Sequence, residues 1–179
     1  MELLEGIRTR RSIRKFKDTP VPRDVVLKAV DSAKYYPSWK NTETARFMLI
    51  ENKDLKRKIA DCVLGFTHNT EIINNAPSLI VVLTIKGRSG YERDGRPTTS
   101  KGSHFESFDA GLATQNLMLS LHNEGVGSVV LGIYDEEKIK ALLDLDDTYS
   151  ISCLLPIGYK VEDAICPARH TNEEFLIIK

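Results

Sequence analysis

The chain is poor in cysteine and shows no cysteine pattern. Cys62, Cys153 and Cys166 are an odd number without a C-x-x-C spacing. That excludes a disulfide framework or a zinc ribbon and fits a reducing cytoplasm. No run of about 18 apolar residues occurs, so neither a membrane span nor a membrane partner is expected. The opening MELLEGIRTRRSIRKF lacks the apolar centre of a secretory signal, and the expected location is cytoplasmic. Neither sign of charge is in excess: Lys+Arg and Asp+Glu each number 25. A general nucleic-acid binder would be basic overall, so no nucleic-acid partner is expected. Repeats and low-complexity segments are also missing. At 179 residues, 41% of them hydrophobic, the chain suits one domain, 1–179, with a substantial core.

Missing motifs narrow the chemistry. There is no phosphate-cradling Walker loop, and Gly125, Gly127 and Gly132 fall between a helix and a strand, the reverse of the dinucleotide fingerprint. No G-x-S-x-G and no H-x-x-x-H pair occurs; His104 and His122 sit on a predicted helix and read as structural. Cys166 stands alone in a loop, a weak basis for a reactive thiol. With no set of acid, base and nucleophile, any redox or group-transfer chemistry falls to a bound cofactor.

What is present is organised around Ser103–Gly132. Ser103 and Glu106 have the form of a capping box, and Gly125 suits the left-handed residue that ends a helix. Between them Phe105, Phe108, Ala110, Leu112, Ala113, Leu117, Met118, Leu119 and Leu121 spread around most of the circumference. A helix apolar nearly all round is buried, and part of this one is expected to pack against a second copy of the chain. Gly127–Ile133 follows as a strand.

Around it, residues 2–9 form an amphipathic helix with Leu3, Leu4 and Ile7 on one side. Arg8, Arg10, Arg11, Arg14, Lys15 and Lys17 then place six cations within ten positions. Two readings stand. One is a solvated face with cations at a helix C-terminus; the other is an anion site in which guanidiniums and the Ser12 hydroxyl hold a phosphate. Pro22 opens a helix that Pro37 stops. The loop 37–44 carries the only tryptophan, Trp39, either as a plug over the core or within a ligand-contacting loop. Strands are expected at 46–51, at 79–85 as a β-branched run buried on both faces, and at 150–158, closed by Pro156. Asn52 and Asp135 cap further helices. Lys86–Gly102, with four glycines and five Lys or Arg, reads as a structureless loop, hence a lid or a disordered segment. The apolar tail Glu173–Lys179 needs a dock, which a partner subunit's sheet would supply. The irregular mixture of helices and strands predicts an α+β fold, mixed α/β layers with one sheet.

Four segments in order resemble the FMN-dependent nitroreductase family, over nearly the whole chain. Arg10-Arg11-Ser12-x-Arg14-x-Phe16 is similar to its N-terminal flavin-phosphate motif, and Pro37-Ser38-x-x-Asn41 with Arg46-Phe47 to its second motif. Asp109-x-Gly111-x-Ala113-x-Gln115-Asn116-Leu117 through Gly125-x-Gly127-Ser128 is similar to its central helix and glycine turn, and Leu155-Pro156-x-Gly158-Tyr159 with Arg169 to its closing motif. The resemblance implies a mostly antiparallel sheet flanked by helices in an intertwined homodimer with FMN at the interface. It places Arg10, Arg11, Ser12 and Arg169 at the flavin phosphate and ribityl chain, and Arg14 toward the pyrimidine edge, where a cation stabilises the reduced ring. It puts Asn41 at the ring edge with Ser38 lining the same loop, and Leu131, Gly132 and Ile133 against the ring. It also implies ping-pong hydride transfer from NADH or NADPH to a small-molecule acceptor such as a nitroaromatic or quinone. Dehalogenation, azoline oxidation and non-enzymatic flavin storage or sensing are the alternatives. One departure stands out: Glu43, Thr44 and Ala45 replace the family's Gln, Pro and Trp.

Overall fold

The computed structural model describes residues 1–179. In chain order the elements are α1 (Leu3–Thr9), α2 (Arg23–Ala33), a 3-10 turn (Trp39–Asn41), β1 (Ala45–Ile50), α3 (Lys53–Ala60), α4 (Thr67–Asn75), β2 (Ser78–Ile85), α5 (His104–Asn123), β3 (Val126–Ser128), α6 (Glu136–Leu142), β4 (Tyr149–Tyr159) and α7 (Asn172–Phe175). The sheet is antiparallel throughout, in the order β1-β2-β4-β3. The α+β layering is as expected. None of the helices is long and apolar enough to cross a membrane.

Side chains on successive residues of a strand leave on opposite faces, and this splits the core in two. Leu79, Val81 and Leu83 of β2 enter one cluster, with Ile59, Ile72, Ile73 and Ile139 of α3, α4 and α6. Ile80 and Val82 enter the other, with Val26 and Ala29 of α2 and Leu117 and Leu121 of α5. The β-branched run of β2 is buried on both faces, and helices cover both. Between Val82 and Leu83 the pairing with β4 slips by one residue, leaving Ser152 without a partner. This bulge lets Ile151 and Leu154 share one face and Cys153 and Leu155 the other.

Asn52 Oδ1 accepts from the Leu55 amide at 2.9 Å and Asp135 Oδ1 from the Lys138 amide at 3.2 Å, so both predicted caps form. Gly125 ends α5 at φ +77°. Several expectations are corrected. Ser103 and Glu106 do not make a capping box: Ser103 is already helical with no side-chain cap bond, and the Glu106 carboxylate turns to the Gly87 amide at 2.6 Å. The buried residues of α5 form one stripe, from Glu106 through Asp109, Ala113, Leu117 and Leu121, while Phe108 and Gly111 face outward. The strand after α5 stops at Ser128, and Val129–Ile133 continues irregularly with one bridge, Leu131 to Leu154. Pro156 does not close β4, which runs on to Tyr159. The Pro156 carbonyl meets the Val129 amide just beyond the end of β3. Its imide nitrogen therefore points to a side where no ladder donor is needed. Residues 86–102 are built, not structureless: Tyr91 bridges Pro97, the Glu92 amide donates to Arg96 O at 2.8 Å, and the Thr98 amide to Gly90 O at 2.9 Å. Leu3, Leu4 and Ile7 of α1 are exposed, as are Phe175–Ile178, so the chain covers neither apolar surface by itself.

Candidate functional site

The arginine segment leaves α1 as extended backbone. The Ile13 amide donates to Ser128 O at 2.9 Å, the Lys17 amide to Tyr159 O at 2.8 Å, and the Val161 amide returns to Lys15 O at 3.2 Å. The segment thus runs as extended backbone beside β3 and the end of β4, joined by isolated bridges at Ser12 and Phe16, with Ile13 and Phe16 buried and the intervening Arg14 turned out. Close approach requires Gly127 and Gly158. A Cβ on the first would lie 2.6 Å from Ile13 and on the second 2.9 Å from Phe16.

This arm forms one wall of a cleft of about 760 Å³. Arg10, Arg11, Ser12 and Arg14 border it from the arm and Arg169 from the segment after β4. Positions about 155 residues apart thus border one cleft. None of these four guanidiniums is in an ion pair. Arg11 and Arg169 donate only to nearby carbonyls, of Arg8 and Arg10 in one case and Pro167 and Ala168 in the other. Arg14 reaches only Ser12 O at 3.4 Å. The two acids at the rim are already committed, Glu162 to Lys15 at 2.8 Å and Asp163 to Lys160. Partial burial, together with the charges of Arg11 and Arg169, holds the Arg10 guanidinium below the ordinary arginine range. His122, whose Nε2 lies 3.0 Å from Thr9 Oγ1, is likewise held below its ordinary pKa by burial and by Lys160, Arg10 and Arg11. A concentration of unpaired guanidiniums is the donor set a phosphate needs, so the anion reading gains over the solvated-face reading.

Ser38 and Asn41 are not in this cleft. They lie in the loop after α2, and Asn41 borders two other cavities. In that loop the Asn41 side-chain Nδ2 donates to Glu43 Oε1 at 3.0 Å and the Glu43 backbone amide to Ser38 Oγ at 3.1 Å. The departure from the family pattern, Glu43, therefore holds Asn41 in place. Lys40, Asn41 and Glu43 all have left-handed backbone, at φ +46°, +53° and +48°. The buried side-chain atoms without a hydrogen-bond partner, Trp39 Nε1, Thr42 Oγ1 and Thr44 Oγ1, lie in the same loop. Positive-φ backbone and unmet polar atoms are thus gathered in one loop.

Leu131, Gly132 and Ile133 border neither large cleft. Leu131 is buried, Gly132 and Ile133 face outward, and a Cβ at Gly132 would meet nothing within 4 Å. One organising residue, named above only as the start of the third motif, was given no role by the sequence. Asp109, buried on α5, accepts from the Trp39 amide at 3.0 Å and from Ser89 Oγ at 2.7 Å. Beyond its place in that motif, the signal was an acid inside a largely apolar helix. No three His, Cys, Asp or Glu side chains gather where a metal ion would bind.

A family model described as the nitroreductase family matches residues 7–69 and 66–159. A protein of Methanothermobacter thermautotrophicus, provisionally named NADH dehydrogenase/NAD(P)H nitroreductase, is 29% identical over 91% of this chain and 80% of its own. The iodotyrosine deiodinase of Nematostella vectensis is 25% identical over 99% of this chain and 75% of its own. A provisionally named nitroreductase of Exiguobacterium sibiricum, solved in complex with FMN, is 19% identical and superposes over 100% of this chain and 98% of its own at a TM-score of 0.85.

Proposed function

From the premise that the chain belongs to the nitroreductase family, a family of oxidoreductases, we propose that it is an FMN-dependent oxidoreductase of one domain, taking hydride from NADH or NADPH and reducing a small electrophilic acceptor by a ping-pong mechanism. The observation that carries this reading is the cleft of four unpaired guanidiniums and Ser12. The fit to FMN is specific in kind. A terminal phosphate dianion needs several charge-assisted donors, and Arg10, Arg11 and Arg169, with the Ser12 hydroxyl, supply them. Arg14, turned outward from the arm, is the cation for the pyrimidine edge of the ring. When bound, FMN supplies the two-electron chemistry, and the side chains supply binding, orientation and charge.

The ring-edge residue Asn41 and its loop neighbour Ser38 belong to a different part of the chain. Ser38 and Asn41 share no large cleft with the arginines. The reading therefore completes each flavin site across a homodimer, with the arm of one subunit and the 38–44 loop of its partner. The exposed apolar residues of α1 and the C-terminal tail are the surfaces such a dimer would cover. The visible spectrum of the purified protein under anaerobic NADH and then NADPH tests the reading. Flavin bands that bleach are expected. Bands that persist under both nucleotides would leave a storage or sensing role, and an inability to take up added FMN would overturn the flavin site itself.

Dehalogenation is the second reading, favoured by the deiodinase relative. Release of iodide from an iodinated phenol by the chemically reduced protein, at a rate above that of free reduced FMN, would favour it.

A further inference from the structure

We propose that a second cleft, between the 38–44 loop and the hairpin 87–96, is an anion-recognising subsite in which Arg88 and Arg93 take the terminal phosphate or carboxylate of the electron donor or acceptor. It rests on the oxidoreductase reading for the identity of its ligand, and on the following geometry for its existence.

The cleft holds about 1070 Å³, enough for a nucleotide or an aromatic acid. It is bordered by four cations and two acids. Both acids are matched: Glu92 accepts from Lys40 Nζ through both oxygens at 3.1 Å, and Asp94 from Arg96 Nε at 2.7 Å. Arg88 and Arg93 are left over. Neither side chain makes an ion pair or a hydrogen bond with any group of the chain. A chain with zero net charge thus places two unmatched guanidiniums around one cleft, with the Tyr91 ring between them in sequence. A charged side chain in water with no partner costs nothing in itself, but two that line one concave surface raise the local potential and draw in an anion.

The cleft is held open by its supports, which distinguishes it from a solvated loop. Both walls hang on one buried carboxylate, since Asp109 binds the Trp39 amide of the loop and Ser89 Oγ of the hairpin. Glu106 holds the hairpin base through the Gly87 amide, and Gly90 sits at φ +86° with no room for a Cβ, which would lie 2.2 Å from Gly102 O. Thr42, whose buried hydroxyl has no partner, borders the same cleft. Asn41 does too, so a ligand anchored on Arg88 and Arg93 lies against the residue assigned to the flavin edge. An anionic group held here would orient the far end of a nicotinamide donor or of an acid-bearing acceptor.

The test is the double variant R88Q/R93Q as the FMN-loaded protein, with two ratios and one binding measurement. If the donor phosphate occupies the cleft, the ratio of kcat/KM for NADPH to that for NADH falls at least tenfold. If the acceptor occupies it, the ratio for 4-nitrobenzoate to nitrobenzene falls by the same factor. Both ratios unchanged overturn the subsite. Should the wild-type flavin not be reduced by either nucleotide, the oxidoreductase reading fails and the subsite is judged by calorimetry alone. Adenosine 2′,5′-bisphosphate or 4-nitrobenzoate is then expected to bind the wild type at least tenfold more tightly than the variant, and equal binding, or none, overturns it. Unaltered FMN content and melting temperature in the variant separate loss of the subsite from misfolding.

Discussion

Arg10 and Arg169 stand about 160 positions apart in the chain and border one cleft, each lacking a carboxylate. A hydrogen bond to a charged group contributes roughly 1.5–3 kcal/mol. Arg10→Ala or Arg169→Ala is therefore expected to raise the Kd for FMN by about 10- to 100-fold, read by fluorescence titration of the released flavin, with little change in melting temperature because neither side chain packs the core. An unchanged Kd in both would move the phosphate elsewhere. His122 reports the same field without touching the ligand. Its pKa lies below the ordinary value because burial and the charges of Lys160, Arg10 and Arg11 disfavour imidazolium. In the unfolded chain it titrates near the reference of about 6.5. Below that pH the unfolded state binds the proton first, so His122 stabilises the fold above about 6.5 and loses that contribution as pH falls toward its folded value. Its NMR titration midpoint is expected below 6.5 in the FMN-free protein and higher once a phosphate neutralises the cleft; a midpoint insensitive to FMN would remove the phosphate from this neighbourhood.

At the level of elements, the hairpin after β2 is the clearest case of local chemistry read too loosely. Four glycines and a proline suggested no structure, yet Gly87, Gly90, Gly95 and Gly102 all take positive φ, and the bonds from Glu106 and Asp109 of α5 fix the result. Gly90→Ala is expected to cost about 2 kcal/mol or more, from left-handed strain and the Gly102 contact, lowering the melting temperature by roughly 4–8 °C; a variant as stable as the parent would show the hairpin to be loosely held. Other elements were legible because their signals are local. The caps at Asn52 and Asp135, the glycine stop after α5 and the doubly buried β2 each follow from one or two residues and their immediate backbone. Pro156 misled because proline is excluded from a strand only where its missing donor is needed, and whether that donor is needed depends on where β3 ends.

For the whole molecule, the exposed run Phe175–Ile178 and the exposed face of α1 are the apolar surfaces that the proposed dimer would cover. Deleting residues 173–179 is expected to raise the dimer dissociation constant at least tenfold by sedimentation equilibrium. A truncated chain that dimerises as tightly as the full one would show that the tail has no part in the interface. The division of site residues between two separate clefts belongs to this scale as well. It is the tertiary arrangement that sets Asn41 apart from the arginine cluster.

The amino-acid sequence by itself determined the layers and marked the arginine cluster, as an anion site or a solvated face. Alternating and 3.6-residue apolar periodicity is a property of neighbouring residues, as is the clustering of guanidiniums around Ser12 in a chain without net charge. Only the tertiary structure decided which charges stay unmatched. The arm's arginines and the pair Arg88 and Arg93 are free because the nearby carboxylates, Glu162, Asp163, Glu92 and Asp94, are taken by other cations. It also decided that Asp109 holds together two loops that carry the candidate contacts. Ion pairing and buried hydrogen bonds depend on distances of about 3 Å between groups far apart in the chain, and periodicity along the chain carries no record of them.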